Sequence, residues 1–199
     1  MSQPIATGAT NSDPNSVVTG TSERLAKPWH ASDRVLPFLA EWESGSLNGV
    51  VRIFYSNHTH HDYHVTNGMI LTVYNDDQGN PTVGCGHLVV PADHLHAGDT
   101  ITLERGQQLL RADLVRTEKA INSKIHVPLY QYEYDALVSV IFNAGGGSAA
   151  DDMADIVNAG NYSTIPESIR HFYVRNPRLL PRRSSEANMF ASGVYDASH

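Results

Sequence analysis

The chain has 199 residues, 41% of them hydrophobic and 18% charged, which fits one ordinary domain with a tail and is long enough to bury a sizeable core. A net charge of -7 argues against nucleic acid or an acidic lipid surface as the main partner, since both reward basic patches, and no apolar run approaches a bilayer span. The lone cysteine, Cys85, excludes an internal disulfide and any multi-cysteine metal site, so the fold must hold by packing.

Residues 1–31 are rich in Ser, Thr, Asn, Gly and Pro without apolar periodicity and are expected to form a flexible, low-complexity tail. They lack the basic start and apolar core of a secretory signal, so synthesis in the cytoplasm without a classical signal peptide is expected. A single domain is expected over 32–199. Its first segment, "SDRVLPFLAEWESG", places Val35, Leu36, Leu39 and Trp42 at helical spacing and stops near Gly45, which predicts a short amphipathic helix with Glu43 at its end. From Val50 to His87, β-branched and aromatic runs alternate with polar turns and predict a small antiparallel sheet of two or three hairpins. After Thr102 the period turns helical. Leu110, Leu114, Ile121 and Ile125 share one face, and "YQYEYDALVSVIFNAGGG" is apolar enough to predict a central buried helix ended by its glycines. Further helices are expected over 151–158, 165–172 and 184–192. The predicted class is α+β: a small antiparallel β lobe, a larger α-helical lobe, and a ligand cleft between them.

Three groups of residues bear chemistry. In "YNDDQGNPTVGCGH", Asp76 and Asp77 lead a turn through Gly79 and Pro81, and Thr82 follows on the returning strand. The spacing fits plain hairpin chemistry; it also fits a carboxylate and a hydroxyl that hold one water molecule between them. Cys85 and His87 could share a strand face as an acyl-transfer pair, although no orienting group or oxyanion donor is identifiable. His58, His60, His61, His64 and Asp62 crowd into one short stretch that matches no strong zinc signature, and a solvated loop is the simpler reading.

The string Tyr74-x-Asp76-x-x-Gly79-x-x-Thr82-x-Gly84-x-Gly86-His87 resembles the active-site hairpin of the phage-type lysozymes, a family of glycoside hydrolases. "ITLERGQQLLRADL", "VPLYQYEYDALVSVIFNAG", "NAGNY" and "LPRRSSEANMF" resemble later segments of its endolysin branch in the same order, so the resemblance runs from about Val35 to Tyr195. It implies a lysozyme-like fold and a muramidase that cuts the β-1,4 bond between N-acetylmuramic acid and N-acetylglucosamine with inversion, using no metal or cofactor. Asp76 would hold the attacking water and Thr82 would help to place it. Tyr74, Gly86, His87 and Asn143 would contact substrate, His87 in a mainly structural, ion-paired role. Arg182, Arg183 and Glu186 match the family's Arg-Arg-x-x-Glu, which implies a structural salt bridge.

One position departs from the pattern. The family's glutamate, seven residues before the hairpin tyrosine, is Asn67 here, and an amide cannot protonate a leaving oxygen. Glu43, in "FLAEWESG", resembles the family's helix end with Ser44 in place of glycine, and residues 46–70 would then be an inserted hairpin with a histidine-rich loop that could act as a lid. The chemistry asks for one protonated and one ionised carboxyl group roughly 6.5–9.5 Å apart. Glu43 beside Trp42 in a partly dry cleft would have a raised pKa, and Glu41 is the rival acid. The expected partner is the glycan strand of peptidoglycan, with no nucleic acid and no membrane insertion, and the chain is expected to be monomeric. The acidic charge forgoes steering toward an anionic wall and suggests action in a confined periplasm or wall, as an endolysin or an antibacterial effector with a delivery or immunity partner. The other reading left open is a catalytically silent wall-binding or structural module; a metallohydrolase using the histidines is a third.

Overall fold

The computed structural model describes residues 27–198, and the chain forms two compact units: Leu36–Asp113, and Leu114 onward together with the described residues up to Val35. The sequence elements appear nearly where expected, in an α+β fold. Residues 1–26 of the expected tail lie outside the described residues.

The first unit begins with most of helix α1 (Val35–Ser44), whose Leu36, Phe38, Leu39 and Ala40 are buried, as the helical spacing required. Gly45 ends it in the left-handed region (φ 77°), donating its N–H to the Glu41 carbonyl at 2.8 Å. Five antiparallel strands follow in simple meander order: β1 (Gly49–Phe54), β2 (His60–Thr66), β3 (Met69–Asn75), β4 (Pro81–Gly84) and β5 (His87–Leu88). Only Val65 and Thr66 of β2 pair with β3, so most of the β1–β2 hairpin extends beyond the sheet's centre. The middle of β3 takes its second neighbour from residues 98–101: Val73 N–H donates to the Asp99 carbonyl and Ile101 N–H to the Leu71 carbonyl, both at 2.8 Å. Val73, Val83 and Leu109 form a buried cluster with Val89, Leu95 and Ile101 around it. Leu109 belongs to α2 (Leu103–Lys124), which Thr102 caps by accepting the Arg105 N–H at 3.1 Å.

The second unit holds the last part of α2, then α3 (Gln131–Ala144), α4 (Ser148–Asn158), α5 (Ile165–His171) and α6 (Leu180–Ser192). α3 is the buried helix that its composition predicts, covered from Glu133 to Ile141. Its buried polar groups are paired: Asp135 accepts hydrogen bonds from Ser32 N–H and hydroxyl, Gln131 and Tyr195, while Ser139 donates to Glu186 at 2.6 Å. α6 starts four residues before the expected Ser184, because Pro181 at its first turn forfeits no intrahelical bond. That extra turn carries Arg182 and Arg183, both buried with Glu186 between them: Arg182 Nε lies 3.0 Å and Arg183 Nη1 2.5 Å from its two oxygens. Arg183 also reaches the Phe172 carbonyl and Asn143, each at 2.9 Å. Residues 27–31, reckoned with the tail, lie along α2: the Lys27 ammonium meets the Ile121, Asn122 and Ile125 carbonyls, a cation where the helix dipole favours one.

The turn between β2 and β3 is Asn67-Gly68, with φ 48° and 75° and Thr66 paired to Met69 across it, the geometry for which Asn-Gly is preferred. A Cβ added to Gly68 would lie 2.5 Å from the Ala40 Cβ and 2.6 Å from its carbonyl carbon, so the turn rests directly on α1. Gly79 has a similar φ of 84° with nothing within 4 Å. Gly79→Ala should therefore cost only the left-handed penalty of about 1–2 kcal/mol, and Gly68→Ala should cost about 3 kcal/mol or more once backbone overlap is added. Urea unfolding of the two variants measures the difference; equal losses would mean that the turn does not bear on α1.

Candidate functional site

Glu43 stands one residue before the end of α1 and lines a cavity of about 150 Å³ with Ser44, Val51, Arg52, Ile53, Ile70, Tyr74 and Gly84–Gly86. Glu41 is not part of this wall. Strand alternation explains the floor, since Val51 and Ile53 share one face of β1 and pair with Tyr63 and His61 of β2. Tyr74 is largely covered, and burial together with the Asp76 charge pushes its pKa up to about 12. Glu43 itself is exposed, so the dry setting expected beside Trp42 is absent from the free protein.

Tyr74 is the register partner of Thr82, so the turn that carries Asp76 rises directly from the cavity wall. Asp76 Oδ1 accepts the backbone N–H groups of Gln78 at 2.9 Å and Asn80 at 2.7 Å, and Oδ2 accepts the Asn80 amide at 3.1 Å. These donors, the Asn80 backbone first, hold the carboxyl below the usual carboxylate range. Thr82 is buried and donates its hydroxyl to the Asn80 carbonyl at 3.1 Å, keeping its lone pairs. The same contacts make this a well-formed hairpin turn and keep its carboxylate ionised.

Asn67, the position where the resemblance expects an acid, is engaged in the turn on α1: its N–H donates to Asn48 Oδ1 at 3.0 Å, and Gly68 N–H to the Leu47 carbonyl at 2.6 Å. Gly86 lines the cavity. His87 is held between two carboxylates, Nδ1 at 2.9 Å from Asp113 and Nε2 at 3.1 Å from Asp93. With both ring nitrogens engaged and Cys85 on the cavity wall, no Cys85–His87 acyl-transfer pair is formed. Asn143 lies in the helical unit, where with Arg183, Tyr173 and Arg175 it lines a separate cavity of about 300 Å³. The histidine cluster divides across β2: His60, Asp62 and His64 face away from His61 and Tyr63, and Asp62 pairs with Arg52 at 2.7 and 2.8 Å. No group of three metal-ligating side chains occurs among the described residues. The partners of His87 and two of the rings beside Tyr74, those of Tyr63 and Tyr55, were not singled out from sequence, and His61 was weighed only as part of the histidine-rich stretch; the alternation His61-x-Tyr63 in a strand is the signal that could have found the row.

Residues 64–186 match the Phage lysozyme family. The endolysin of Salmonella phage P22 is 38% identical over 130 residues, covering 63% of this chain and 89% of the relative. The endolysin of Acyrthosiphon pisum secondary endosymbiont phage 1 is 31% identical over 134 residues with the same coverage. Among solved structures, a P22 lysozyme mutant superposes with a TM-score of 0.61 at 30% identity, over 82% of this chain and 98% of that one. The endolysin from Escherichia coli O157:H7 phage FAHEc1 gives 0.61 at 28% identity, over 83% and 95%. No described helix is long and apolar enough to cross a membrane.

Burial opposes the charge of His87, but the hydrogen bonds and charges of Asp93 and Asp113 outweigh it and raise the pKa above the ordinary histidine value. A raised folded pKa gives stability that is fully present below the unfolded value near 6.5 and is lost as pH rises through the folded value. The melting-temperature gap between wild type and His87→Gln should therefore be widest at about pH 5–6 and shrink toward about pH 9. A gap that is constant or grows with pH would mean that the imidazole is held neutral.

Proposed function

The chain belongs to the phage lysozyme family and is a peptidoglycan hydrolase, a lysozyme-type glycosidase; from that premise we propose that it is an inverting N-acetylmuramidase with Glu43 as general acid and Asp76 and Thr82 as the water-holding pair. The observation that carries the proposal is the shared wall, in which Glu43 and Tyr74 line one cavity and the Asp76 turn rises from Tyr74. In this reading the glycan covers the exposed Glu43 carboxyl and excludes water from it while the sugar is bound. Glu43 gives its proton to the glycosidic oxygen as the C1–O bond breaks. A water held by Asp76 and Thr82 attacks C1 from the opposite face.

Because the turn's donors depress its pKa, Asp76 is a weak base. Its main work is to orient the water and to face the positive charge that builds on the sugar; the water's proton passes to the Asp76 carboxylate only as the new C–O bond forms. Tyr74 and Gly86 present the cavity surface to the sugar, and His87 braces β5 against α2 through Asp113. The net charge of -7 fits action in a confined periplasm or wall, in endolysis or against a competitor.

Release of reducing ends from purified peptidoglycan tests the assignment. Glu43→Gln and Asp76→Asn should each lose about a hundredfold or more, while Glu41→Gln stays near wild type. Early product should carry the α-anomer, read by NMR before mutarotation. Near-normal activity in Glu43→Gln would place the acid elsewhere, and a β-anomer formed first would replace inversion with a covalent route.

A further inference from the structure

Tyr74 belongs both to the cavity wall and to a row of rings that the proposed reaction does not use. Tyr63 lies against it with centroids 4.9 Å apart, His61 follows Tyr63 at 6.3 Å with the rings 27° from parallel, and Tyr55 meets His61 edge-on at 5.6 Å. The row stands on the face whose other members, Val51 and Ile53, line the Glu43 cavity. The rings are braced against β3, where the Tyr55 hydroxyl donates to the Asn75 carbonyl at 3.0 Å and sits 3.2 Å from the Tyr63 hydroxyl. On the opposite face the bidentate Arg52–Asp62 pair joins the two strands. This is not a core cluster, since His61 is exposed and Tyr55 and Tyr63 are half-buried.

We infer that this row is a glycan-binding subsite of the β1–β2 hairpin, occupied by the part of the peptidoglycan strand that continues beyond the Glu43 cavity; the inference rests on the muramidase reading of that cavity. A cavity of about 150 Å³ cannot take a polymer, so the strand must pass over the adjoining surface, and the surface continuous with Tyr74 is this row. The chemistry matches. A pyranose offers an apolar C–H face that stacks on a ring and a rim of hydroxyls that meets the polar edges of tyrosine and histidine. The cross-strand pairs hold the rings in place before binding, which lowers the ordering cost.

Two measurements on wild type, His61→Ala and His64→Ala test the subsite: isothermal titration with the uncharged N-acetylglucosamine tetramer, and steady-state turnover of purified peptidoglycan. His61 is exposed, so its loss should leave the fold intact by circular dichroism, and His64 is the same residue type on the opposite face of the same strand. His61→Ala should weaken tetramer binding about fivefold, the worth of one ring contact, and raise KM with kcat nearly unchanged; His64→Ala should match wild type. Equal tetramer affinity in wild type and His61→Ala, or no tetramer binding at all, would overturn the subsite even where Glu43 proves to be the acid. Tetramer binding through His61 without release of reducing ends would keep the subsite and overturn the catalytic assignment.

Discussion

The contact between Gly68 and Ala40 is the constraint on which the sheet unit depends. The Asn67-Gly68 turn presses backbone against α1 at a separation that leaves no room for a Cβ. Because this turn opens β3, it sets where Met69, Ile70 and, further along, Tyr74 lie relative to the end of α1. Glu43 follows Ala40 by less than one helical turn, so fixing Ala40 against the sheet also fixes Glu43 against the floor of its cavity. The position where the resemblance expects a carboxylate is spent on a left-handed turn residue that asparagine tolerates and glutamate does not favour.

The two carboxylates of the proposed pair are set apart by their surroundings. Asp76 is surrounded by backbone and amide donors supplied by its own turn, an environment that exists in the free protein and keeps it ionised. Glu43 sits at an exposed cavity rim, and what it becomes depends on what covers it. One carboxylate is therefore preorganised and the other conditional on substrate, a division that suits a reaction in which the acid must be dry only while the sugar is bound.

Much of this could be read from the chain. The helices followed from apolar spacing, and α3 from its unbroken apolar run, because burial on all sides leaves a compositional mark. The Asp76 turn was legible because glycine and proline punctuate it at fixed offsets. Other features left no local signal: that Asp93 and Asp113 flank His87 depends on a tertiary approach of α2 to β5, and a lone aspartate in a helix has no periodicity to betray it. The start of α6 was missed because Pro181 looks like a breaker, whereas at a helix's first turn it initiates. Asp135 carries no mark in the sequence of its burial under hydrogen bonds from Ser32, Gln131 and Tyr195, and burial pushes its carboxyl up despite them.

The buried Arg182–Glu186–Arg183 group shows how far a motif can be taken. Both guanidinium groups are spent inside the helical unit, on Glu186, the Phe172 carbonyl and Asn143, and their exposures of 4% and 1% leave little surface for a substrate. Such a group contributes little net stability over apolar residues of the same volume, but any single loss from it strands a buried charge, so it ties α3, α5 and α6 to one arrangement. Asn143 gains its fixed orientation from the same network, since its carbonyl oxygen accepts from Arg183. A polar side chain at a helix end needs such a partner to hold its rotamer, and here the buried salt-bridge motif acts one step behind the surface, as the support of Asn143.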